Sequence, residues 1–193
     1  MEIAAIGTGF FGSVLGGALS LSGHEVTFGS RHPSSKDVQI DPPARVASVA
    51  DAVAGAGVII LALPAQAVDE FAHEHGAALD GKLVIDSTNR MGQAVSNSRA
   101  ALPSTVRDAR AFNTLGGENM ADPVFGGRAG RYVLLRSRAD RPTIETVIEG
   151  VGLRPIFVGE DEEALIDRLF QLWIALAMRQ GRGRRRALQL LEG

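Results

Sequence analysis

The 193-residue sequence contains no cysteine. It therefore has no disulfide, no thiolate nucleophile and no cysteine-ligated metal site, which is usual for proteins of a reducing compartment. Aromatic residues are scarce, at 5% of the chain, with one tryptophan (Trp173) and one tyrosine (Tyr132). Lysine is scarce too, since 2 lysines stand against 18 arginines. These absences remove several kinds of catalytic site before any motif is considered.

The chain also lacks a large excess of charge and a long apolar segment. Its formal net charge is −2, so no overall field favours a nucleic acid or a membrane surface. The apolar run at residues 58–63 is far shorter than the roughly 20 residues that span a bilayer. The first apolar run and its turn end by residue 9, which leaves no room for a signal peptide. We expect a cytoplasmic protein with no nucleic-acid partner and no membrane partner.

Short apolar runs alternate with helical patterns along the chain. The pattern predicts strands at residues 2–6, 25–28, 58–63, 83–85, within 106–112, and at 132–135 and 155–158. It predicts helices at residues 10–21, 46–54, 66–77, 142–149 and 160–178. Strands that alternate with helices, joined by right-handed crossovers, form a doubly wound α/β fold with a mostly parallel sheet.

A glycine-rich turn links the first predicted strand to the first predicted helix, with the sequence Gly7-Thr8-Gly9-Phe10-Phe11-Gly12. In such a turn Gly7 permits the tight bend, Gly9 lets a pyrophosphate approach the backbone, and Gly12 lets helix and strand pack closely. The helix N-terminus offers unpaired N–H groups to the phosphates. We predict a Rossmann-type dinucleotide-binding domain over residues 1–120. A small α/β extension over residues 121–193 would complete the sheet and the site of a second substrate.

The end of the second predicted strand lies where such domains usually carry an acidic residue for the ribose hydroxyls of NAD. Here Ser30 and Arg31 occupy that position, followed by His32 and Lys36. A guanidinium is a planar fork that suits phosphate oxygens, so we predict that Arg31 binds the 2′-phosphate of NADP. Ser30 would add a hydroxyl donor, Lys36 a charge across the loop, and His32 a stacking or donor group. The pattern favours NADP(H), with a solvated basic loop as the alternative.

The acid–base groups of the common dehydrogenases are missing. Tyr132 is followed four residues later by Arg136, so the Tyr-x-x-x-Lys pair of short-chain dehydrogenases is absent. Residues 73–75, His-Glu-His, lack the spacing of a zinc site because alternate residues of a helix face different directions. We predict an exposed helix end there and no metal. No catalytic residue is predicted: hydride transfer to a conjugated, flavin-like ring would need only binding, orientation and exclusion of water.

Polar residues follow two of the predicted central strands. Ser87 and Asn89 come after residues 83–85, and Asn113 and Thr114 come after residues 106–112. Because the carboxyl ends of parallel strands meet at one edge, these residues are predicted beside the nicotinamide. Ser87 and Asn89 are assigned to the cofactor, and Asn113 and Thr114 to the hydride acceptor. The alternative is ordinary turn and cap chemistry.

Four segments of the chain, at residues 3–31, 58–68, 83–89 and 109–123, together resemble the coenzyme F420-dependent NADP oxidoreductase family and its relatives. The resemblance implies an N-terminal Rossmann domain, a small C-terminal part, and hydride exchange between NADPH and a deazaflavin. It implies contacts of Thr8, Gly9, Phe10 and Phe11 with the pyrophosphate and nicotinamide side. It also implies contacts of Ser30 and Arg31 with the 2′-phosphate, and of Leu63, Pro64 and Val68 with the nicotinamide half.

The expected function is hydride transfer between NADP(H) and coenzyme F420 or a flavin (FMN or FAD). Two alternatives stay open: a non-catalytic NADP-binding module that senses redox state, and an NADPH-dependent reductase of a small carbonyl or imine, with water or Asn113 as proton donor. The basic run at residues 182–186 is interpreted as a solvated helix end, or as a site for an anionic tail on the acceptor. Trp173 is predicted in the core, with a homodimer surface as the alternative.

Overall fold

The computed structural model describes residues 1–35, 44–90, 98–124, 132–137 and 140–187. The strands are β1 (Glu2–Ile6), β2 (Glu25–Ser30), β3 (Arg45–Ser48), β4 (Val58–Leu61), β5 (Leu83–Asp86), β6 (Arg107–Arg110), β7 (Tyr132–Ser137) and β8 (Arg154–Gly159). The helices are α1 (Phe10–Leu21), α2 (Val49–Ala54), α3 (Val68–His75), α4 (Ser98–Ala101), α5 (Glu118–Ala121), α6 (Arg141–Gly150) and α7 (Glu163–Ile174). A π-helical turn, Ala175–Arg179, continues α7, and 3-10 turns flank α3.

The strands form one sheet in the order β3-β2-β1-β4-β5-β6-β7-β8. Strands β1 to β6 are parallel, β7 runs antiparallel to β6, and β8 is parallel to β7. The chain builds outward from β1 to one edge and then returns to place β4 on the other side of β1. The reversal of strand order between β1 and β4 is the topological switch point of a Rossmann-type sheet, so the predicted fold class is confirmed.

Alternate side chains of the central strands enter cores on the two faces of the sheet, as the two-residue period of a strand requires. Ile3 and Ala5 of β1 pack on the face covered by α1 and α6, and Ala4 and Ile6 pack on the face covered by α2 and α3. Strand β4 is buried at all four residues. Each fully buried large aliphatic side chain contributes about 1.5–3 kcal/mol, so these strands are held rigidly and their carboxyl ends are fixed in space.

The prediction of a helix over residues 46–54 was wrong in its first part. Residues Arg45–Ser48 form the edge strand β3, which pairs with β2 through Phe28 and Val46, and α2 begins only at Val49. The helix starts there because the Ser48 hydroxyl caps it, accepting a hydrogen bond from the Asp51 backbone N–H at 3.1 Å. The predicted helix over residues 160–178 begins later, at Glu163, and becomes π-helical at Ala175.

A buried group of three charges joins α7 to the sheet. Arg110, at the end of β6, donates from Nη1 to Asp86 of β5 at 2.6 Å and from Nη2 to Asp167 of α7. All three side chains are at most 8% exposed. A guanidinium can bridge two carboxylates in this way because its donors lie in one rigid plane. The ion group therefore holds the C-terminal helix against the carboxyl ends of β5 and β6.

In the described part of the chain, no helix is both long enough and apolar enough to cross a lipid bilayer.

Candidate functional site

The first of two clefts lies at the switch point of the sheet, beyond the carboxyl ends of β1, β2 and β4. Its volume is about 510 Å³. The residues that line it come from the glycine turn, the end of β2, the segment after β4, and α3. They include Gly7, Thr8, Gly9, Ser30, Arg31, His32, Ser35, Leu63, Pro64, Ala67, Glu70, Phe71, Glu74 and His75. This is the position at which open α/β sheets bind nucleotides.

The three glycines of the turn have different surroundings, and the differences match their expected roles. Gly7 has a φ of +122°, which favours glycine, and a Cβ there would overlap the Ala62 carbonyl. A Cβ at Gly12 would overlap the Gly7 carbonyl oxygen and lie 3.2 Å from the Ala62 Cβ, so Gly12 serves the packing of α1 on the turn. A Cβ at Gly9 would meet no protein atom within 4 Å. Gly9 thus borders open space, which a close-lying ligand can fill.

Helix α1 presents its N-terminus to the same space. Gly9 is its N-cap, and no side chain caps the helix or adds an acidic group to its first turn. The Gly9 carbonyl accepts from the Ser13 N–H at 2.9 Å, and the Ser13 hydroxyl donates to the Thr8 carbonyl at 3.1 Å. The first N–H groups of the helix have no intrahelical partner, and the macrodipole places partial positive charge there. These features suit a pyrophosphate, which supplies both acceptors and negative charge.

The end of β2 brings the predicted phosphate-reading residues to the rim of this cleft. Ser30 is nearly buried, and its Oγ accepts from the His32 backbone N–H at 3.1 Å, which turns the chain sharply after the strand. Arg31 and His32 are exposed and line the cleft. Among the described residues, Arg31 has no hydrogen-bond or ion-pair partner. Its guanidinium is therefore available to an anion. Lys36 lies outside the described residues.

Helix α3 and the turn before it supply the opposite wall of the first cleft, which was not predicted from the sequence. Ala67, Glu70, Phe71 and Glu74 line this wall together with His75. The His75 ring packs against Phe71 with 5.3 Å between ring centroids, and its side chain is only 18% exposed. The segment was predicted as an exposed helix end. The three-residue pattern contained no signal for this role, since the wall forms only when α3 packs beside the end of β2.

The second cleft adjoins the first and has a volume of about 440 Å³. The two clefts share the glycine turn and the segment after β4 at Gly9, Ala62, Leu63 and Pro64. The remaining residues that line it are Phe10, Phe11, Ser87, Thr88, Asn89, Leu115, Gly116, Gly117, Phe170, Trp173, Ile174, Met178 and Arg184. A ligand lying across the shared residues would extend from one cleft into the other.

The loops after β5 and β6 lock each other in place at this second cleft. Asn89 Nδ2 donates to the Asn113 carbonyl at 3.0 Å, and Asn113 Nδ2 donates to the Thr88 carbonyl at 2.8 Å. The Asp86 carboxylate accepts from the Thr88 N–H at 2.8 Å. The Oδ1 atom of Asn89 is buried without a hydrogen-bond partner, and Asn89 lines the cleft. An unpaired buried acceptor of this kind fits a ligand N–H, such as that of a carboxamide.

The predicted site residues fall into two groups. Those that line a cleft are Gly7, Thr8, Gly9, Phe10, Phe11, Ser30, Arg31, His32, Leu63, Pro64, Ser87 and Asn89. Gly12 packs α1 against the turn, and Val68, the first residue of α3, is 1% exposed and buried in the core, so it does not line a cleft. Asn113 and Thr114 are buried behind the second cleft, where Asn113 orients the loop that carries Asn89. Of the described residues, no three His, Asp or Glu side chains cluster as metal ligands.

The C-terminal segment supplies an aromatic wall that was predicted as core. Trp173 is 5% exposed but belongs to a small cluster with Ile174, Ala177 and Phe170, separate from the two main cores. Phe170 stacks on Trp173 with 6.2 Å between ring centroids and an interplanar angle of 11°. The Trp173 Nε1 donates to the Arg186 carbonyl at 2.7 Å, which folds residues 180–187 back along α7. The tryptophan is thus both buried and part of the cleft.

An ion pair ties this folded-back segment to α5. Arg184 Nε donates to Glu118 Oε1 at 2.5 Å. Burial by itself would raise the pKa of Glu118, but the hydrogen bond from Arg184, a backbone hydrogen bond and the arginine charge outweigh it. The pKa of this carboxyl is therefore lowered from its usual value of 4.5. The carboxylate is charged, and the pair intact, throughout the neutral range.

Acidification is expected to break this pair only below the usual range of a glutamate. A carboxyl with a lowered pKa in the folded state contributes stability that is present above its unfolded value and is lost as the pH falls through the folded value. The emission of Trp173, the single tryptophan, should stay constant from pH 8 to about 5 and change at lower pH. Glu118→Gln should show the low-pH emission already at pH 7. An emission profile identical in both proteins would contradict the assignment.

Comparison with known proteins agrees with the fold. Residues 2–90 match the model of the family described as NADP oxidoreductase, coenzyme F420-dependent, which confirms the resemblance inferred from the sequence. A curated relative, glycerol-3-phosphate dehydrogenase [NAD(P)+] of Paracoccus denitrificans, is 27% identical over 135 residues, which are 66% of this chain and 43% of the relative. This chain thus spans less than half the length of that relative.

Solved structures share the fold at lower identity. A candidate F420-dependent NADP reductase of Arthrobacter sp. FB24 has a TM-score of 0.83 and 23% identity, with all of both chains covered. An imine reductase of Streptomyces aurantiacus has a TM-score of 0.73 and 18% identity over 91% of this chain and 61% of its own. The chain is accordingly related to NAD(P)-dependent oxidoreductases and shares their nucleotide-binding fold.

Proposed function

We propose that this protein transfers hydride between NADP(H) and a planar conjugated acceptor, either the deazaflavin coenzyme F420 or a flavin. The observation that carries the proposal is the pair of adjoining clefts that share Gly9, Ala62, Leu63 and Pro64. One cleft has the features of a dinucleotide site, and the other has aromatic walls. A nicotinamide placed at the shared residues would face whatever the second cleft holds.

The residues of the first cleft fit NADP(H). The open space beside Gly9 and the uncapped N-terminus of α1 would receive the pyrophosphate. Ser30 and Arg31 would receive the 2′-phosphate, with His32 beside them, and Leu63 and Pro64 would border the nicotinamide half. The bound nucleotide supplies the hydride. The chain orients it and excludes water, and the unpaired Asn89 Oδ1 is placed to accept from a carboxamide N–H at the second cleft.

The second cleft favours a conjugated acceptor over a small carbonyl. In the described part of the chain, Arg184 is the one ionisable residue that lines this cleft, and an arginine does not serve as a proton donor at neutral pH. Reduction of a simple carbonyl calls for a positioned acid, whereas a flavin or deazaflavin ring spreads the added charge over its own conjugated system. Phe10, Phe170 and Trp173 offer ring faces against which such an acceptor can pack.

The direct test is anaerobic turnover. The protein is mixed with NADPH and oxidised coenzyme F420, FMN or FAD, and the loss of the acceptor's visible absorbance is followed. We expect turnover with at least one of them and little with NADH. Absence of turnover with coenzyme F420, FMN and FAD alike would contradict the proposal.

The same assay distinguishes the proposed function from its two alternatives, a reductase of small imines or ketones and a non-catalytic NADPH-binding module. Turnover of a cyclic imine or small ketone without any flavin would favour the function named for the imine reductase of similar fold. Tight NADPH binding with no turnover on any acceptor would favour a non-catalytic module that senses the redox state of the nucleotide pool.

Replacing Arg31 with alanine should weaken NADPH far more than NADH, because only NADPH carries the 2′-phosphate that the guanidinium would bind. The loss of a hydrogen-bonded pair with a charged group corresponds to about 1.5–3 kcal/mol, or roughly a 10- to 100-fold rise in Kd for NADPH. Isothermal titration calorimetry with both nucleotides measures this difference. Arg168→Ala, which removes an exposed arginine outside both clefts, is the matched control and should change neither Kd. An equal loss for NADPH and NADH would show that Arg31 does not read the 2′-phosphate.

A further inference from the structure

The second cleft has an aromatic wall, a polar side formed by Ser87, Thr88 and Asn89, and a cationic side chain, Arg184. Phe10, Phe11, Phe170, Trp173 and Met178 form its apolar and aromatic side. Arg184 also lines it and is about half exposed, at 48% of its side chain. Water and the Glu118 carboxylate, with which Arg184 pairs, offset the cost of keeping this charge near apolar groups. A ligand in the second cleft would lie beside the Arg184 guanidinium.

The backbone holds Arg184 at this edge independently of its charge. Asn119 Nδ2 donates to the Arg184 carbonyl at 3.2 Å, and Trp173 Nε1 donates to the carbonyl of Arg186 two residues later. The guanidinium carbon lies 5.8 Å from the centre of the Trp173 ring. The segment thus presents the cation beside the same ring that forms the wall of the cleft.

Only one edge of the guanidinium is used. Nε donates to Glu118 Oε1, and across the described residues Nη1 and Nη2 of Arg184 have no hydrogen-bond partner. The terminal nitrogens of an arginine are the pair that binds a phosphate or carboxylate in bidentate fashion. By contrast, Arg185 is occupied: its Nη2 donates to the Val124 carbonyl at 3.0 Å and pairs with Asp122, and it does not line the cleft.

The local charge balance is positive. Residues 179–187 include five arginines and no acidic residue, and the carboxylates that pair with this segment are those of Glu118 and Asp122. The Glu118 carboxylate orients Arg184 through its Oε1 atom, while its Oε2 atom is buried and has no hydrogen-bond partner among the described residues. An incoming anion would gain the attraction of Arg184 and experience repulsion from Glu118.

We propose that the acceptor carries an anionic group, a phosphate or carboxylate on a side chain of its planar ring system, and that the terminal nitrogens of Arg184 bind this group while the ring packs against Trp173. The inference rests on the proposed function and narrows its substrate class. Arg184 selects charged acceptors over neutral ones with the same ring, and Glu118 moderates their affinity.

Riboflavin and FMN provide the sharpest comparison because they share one isoalloxazine ring and differ by a phosphate. Binding is measured in the presence of NADP⁺ by quenching of Trp173 fluorescence, and turnover is measured with NADPH. We expect FMN to bind at least about tenfold more tightly than riboflavin, and the difference to shrink as salt is raised. Coenzyme F420 and its neutral deazaflavin precursor, which lacks the phosphate and the glutamates, form a second such pair.

Two substitutions at this ion pair should have opposite effects. Arg184→Gln should remove the preference for FMN, and Arg184→Lys should restore part of it, since the charge returns without the bidentate fork. Glu118→Gln should increase the affinity for FMN a few-fold relative to that for riboflavin. Arg185→Gln is the matched control, because it removes the same charge one residue away and should preserve the preference.

The outcomes separate the two proposals. Turnover of riboflavin and FMN with equal affinity, unchanged by Arg184→Gln, would overturn the role of Arg184 and leave the proposed function standing. Loss of the preference for FMN in Arg185→Gln as well would also overturn the role of Arg184. The preference would then depend on the total positive charge of the segment and not on one guanidinium. Absence of turnover and of quenching with every ring compound would contradict the proposed function itself, together with this inference.

Discussion

Replacing Gly9 with alanine is expected to abolish tight NADPH binding while the fold stays intact. A Cβ at this position meets no protein atom within 4 Å, and the backbone, at φ −72° and ψ 174°, lies in a region that every L-residue adopts. The added methyl group would occupy the space that a pyrophosphate needs in order to reach the N–H groups of α1. Loss of one or two hydrogen bonds to a charged phosphate corresponds to about 1.5–3 kcal/mol each, so we expect Kd to rise roughly 100-fold or more.

The measurements are calorimetric titration with NADPH and thermal unfolding without nucleotide. The melting temperature of Gly9→Ala should stay within about 4 °C of the parent, since the substitution creates no clash. Gly12→Ala provides the contrast. Its Cβ would overlap the Gly7 carbonyl oxygen, and overpacking of this kind costs about 1–3 kcal/mol, so this variant should lose stability first. Unchanged NADPH affinity in Gly9→Ala would show that the pyrophosphate does not bind at this turn.

Replacing Arg110 with methionine is expected to have the largest effect on stability. The substitution leaves the buried carboxylates of Asp86 and Asp167 without the guanidinium that bridges them. Removal of one partner from a buried ion group costs about 3–5 kcal/mol, because the remaining charges keep the penalty of burial. Helix α7 should also loosen, and with it the Trp173 wall of the second cleft. Urea unfolding gives the stability, and the emission maximum of Trp173 reports on the wall.

A neighbour in the same strand provides the control. Arg107 pairs with Asp140 at the surface, with 43% of its side chain exposed, so Arg107→Met should cost no more than about 1 kcal/mol. A further variant combines Arg110→Met with Asp86→Asn and Asp167→Asn. It removes the two buried carboxylate charges as well as the guanidinium and should recover part of the lost stability. If Arg110→Met unfolded at the same urea concentration as the parent, the buried ion group could not be what holds α7 on the sheet.

The parts of the molecule that could be predicted are those that residues close together in the chain determine. The strand β1, the glycine turn and helix α1 follow one another within 21 residues, and each boundary was predicted where the structure has it. Strand β4 was recognised because a run of apolar residues without alternation indicates a strand covered on both faces. The interpretation of Ser30 and Arg31 likewise depended on their position at the end of the second strand, and the structure places both at the first cleft.

The main errors and omissions concern contacts between segments that are not adjacent in the chain. Strand β3 was taken for part of a helix because its four residues carry little pattern, and pairing with β2 decides their conformation. Arg110 gave no indication that it would bridge residues 24 positions before it and 57 positions after it. Apolar residues in 163–174 recur with the spacing of any helix that buries one face, so Trp173 was predicted in the core. In the structure Trp173 also lines the second cleft.

The amino-acid sequence therefore specified the nucleotide end of this protein, because a phosphate site can be built from one turn, one helix N-terminus and the end of one strand. The second cleft, which is the proposed acceptor site, required the folded molecule. Its walls come from the glycine turn, the loops after β5 and β6, and a C-terminal segment that a buried ion group and the Trp173 hydrogen bond bring back over the sheet. The second cleft forms because segments far apart in the chain pack together and bury charged groups between them. No local pattern of residues predicts it.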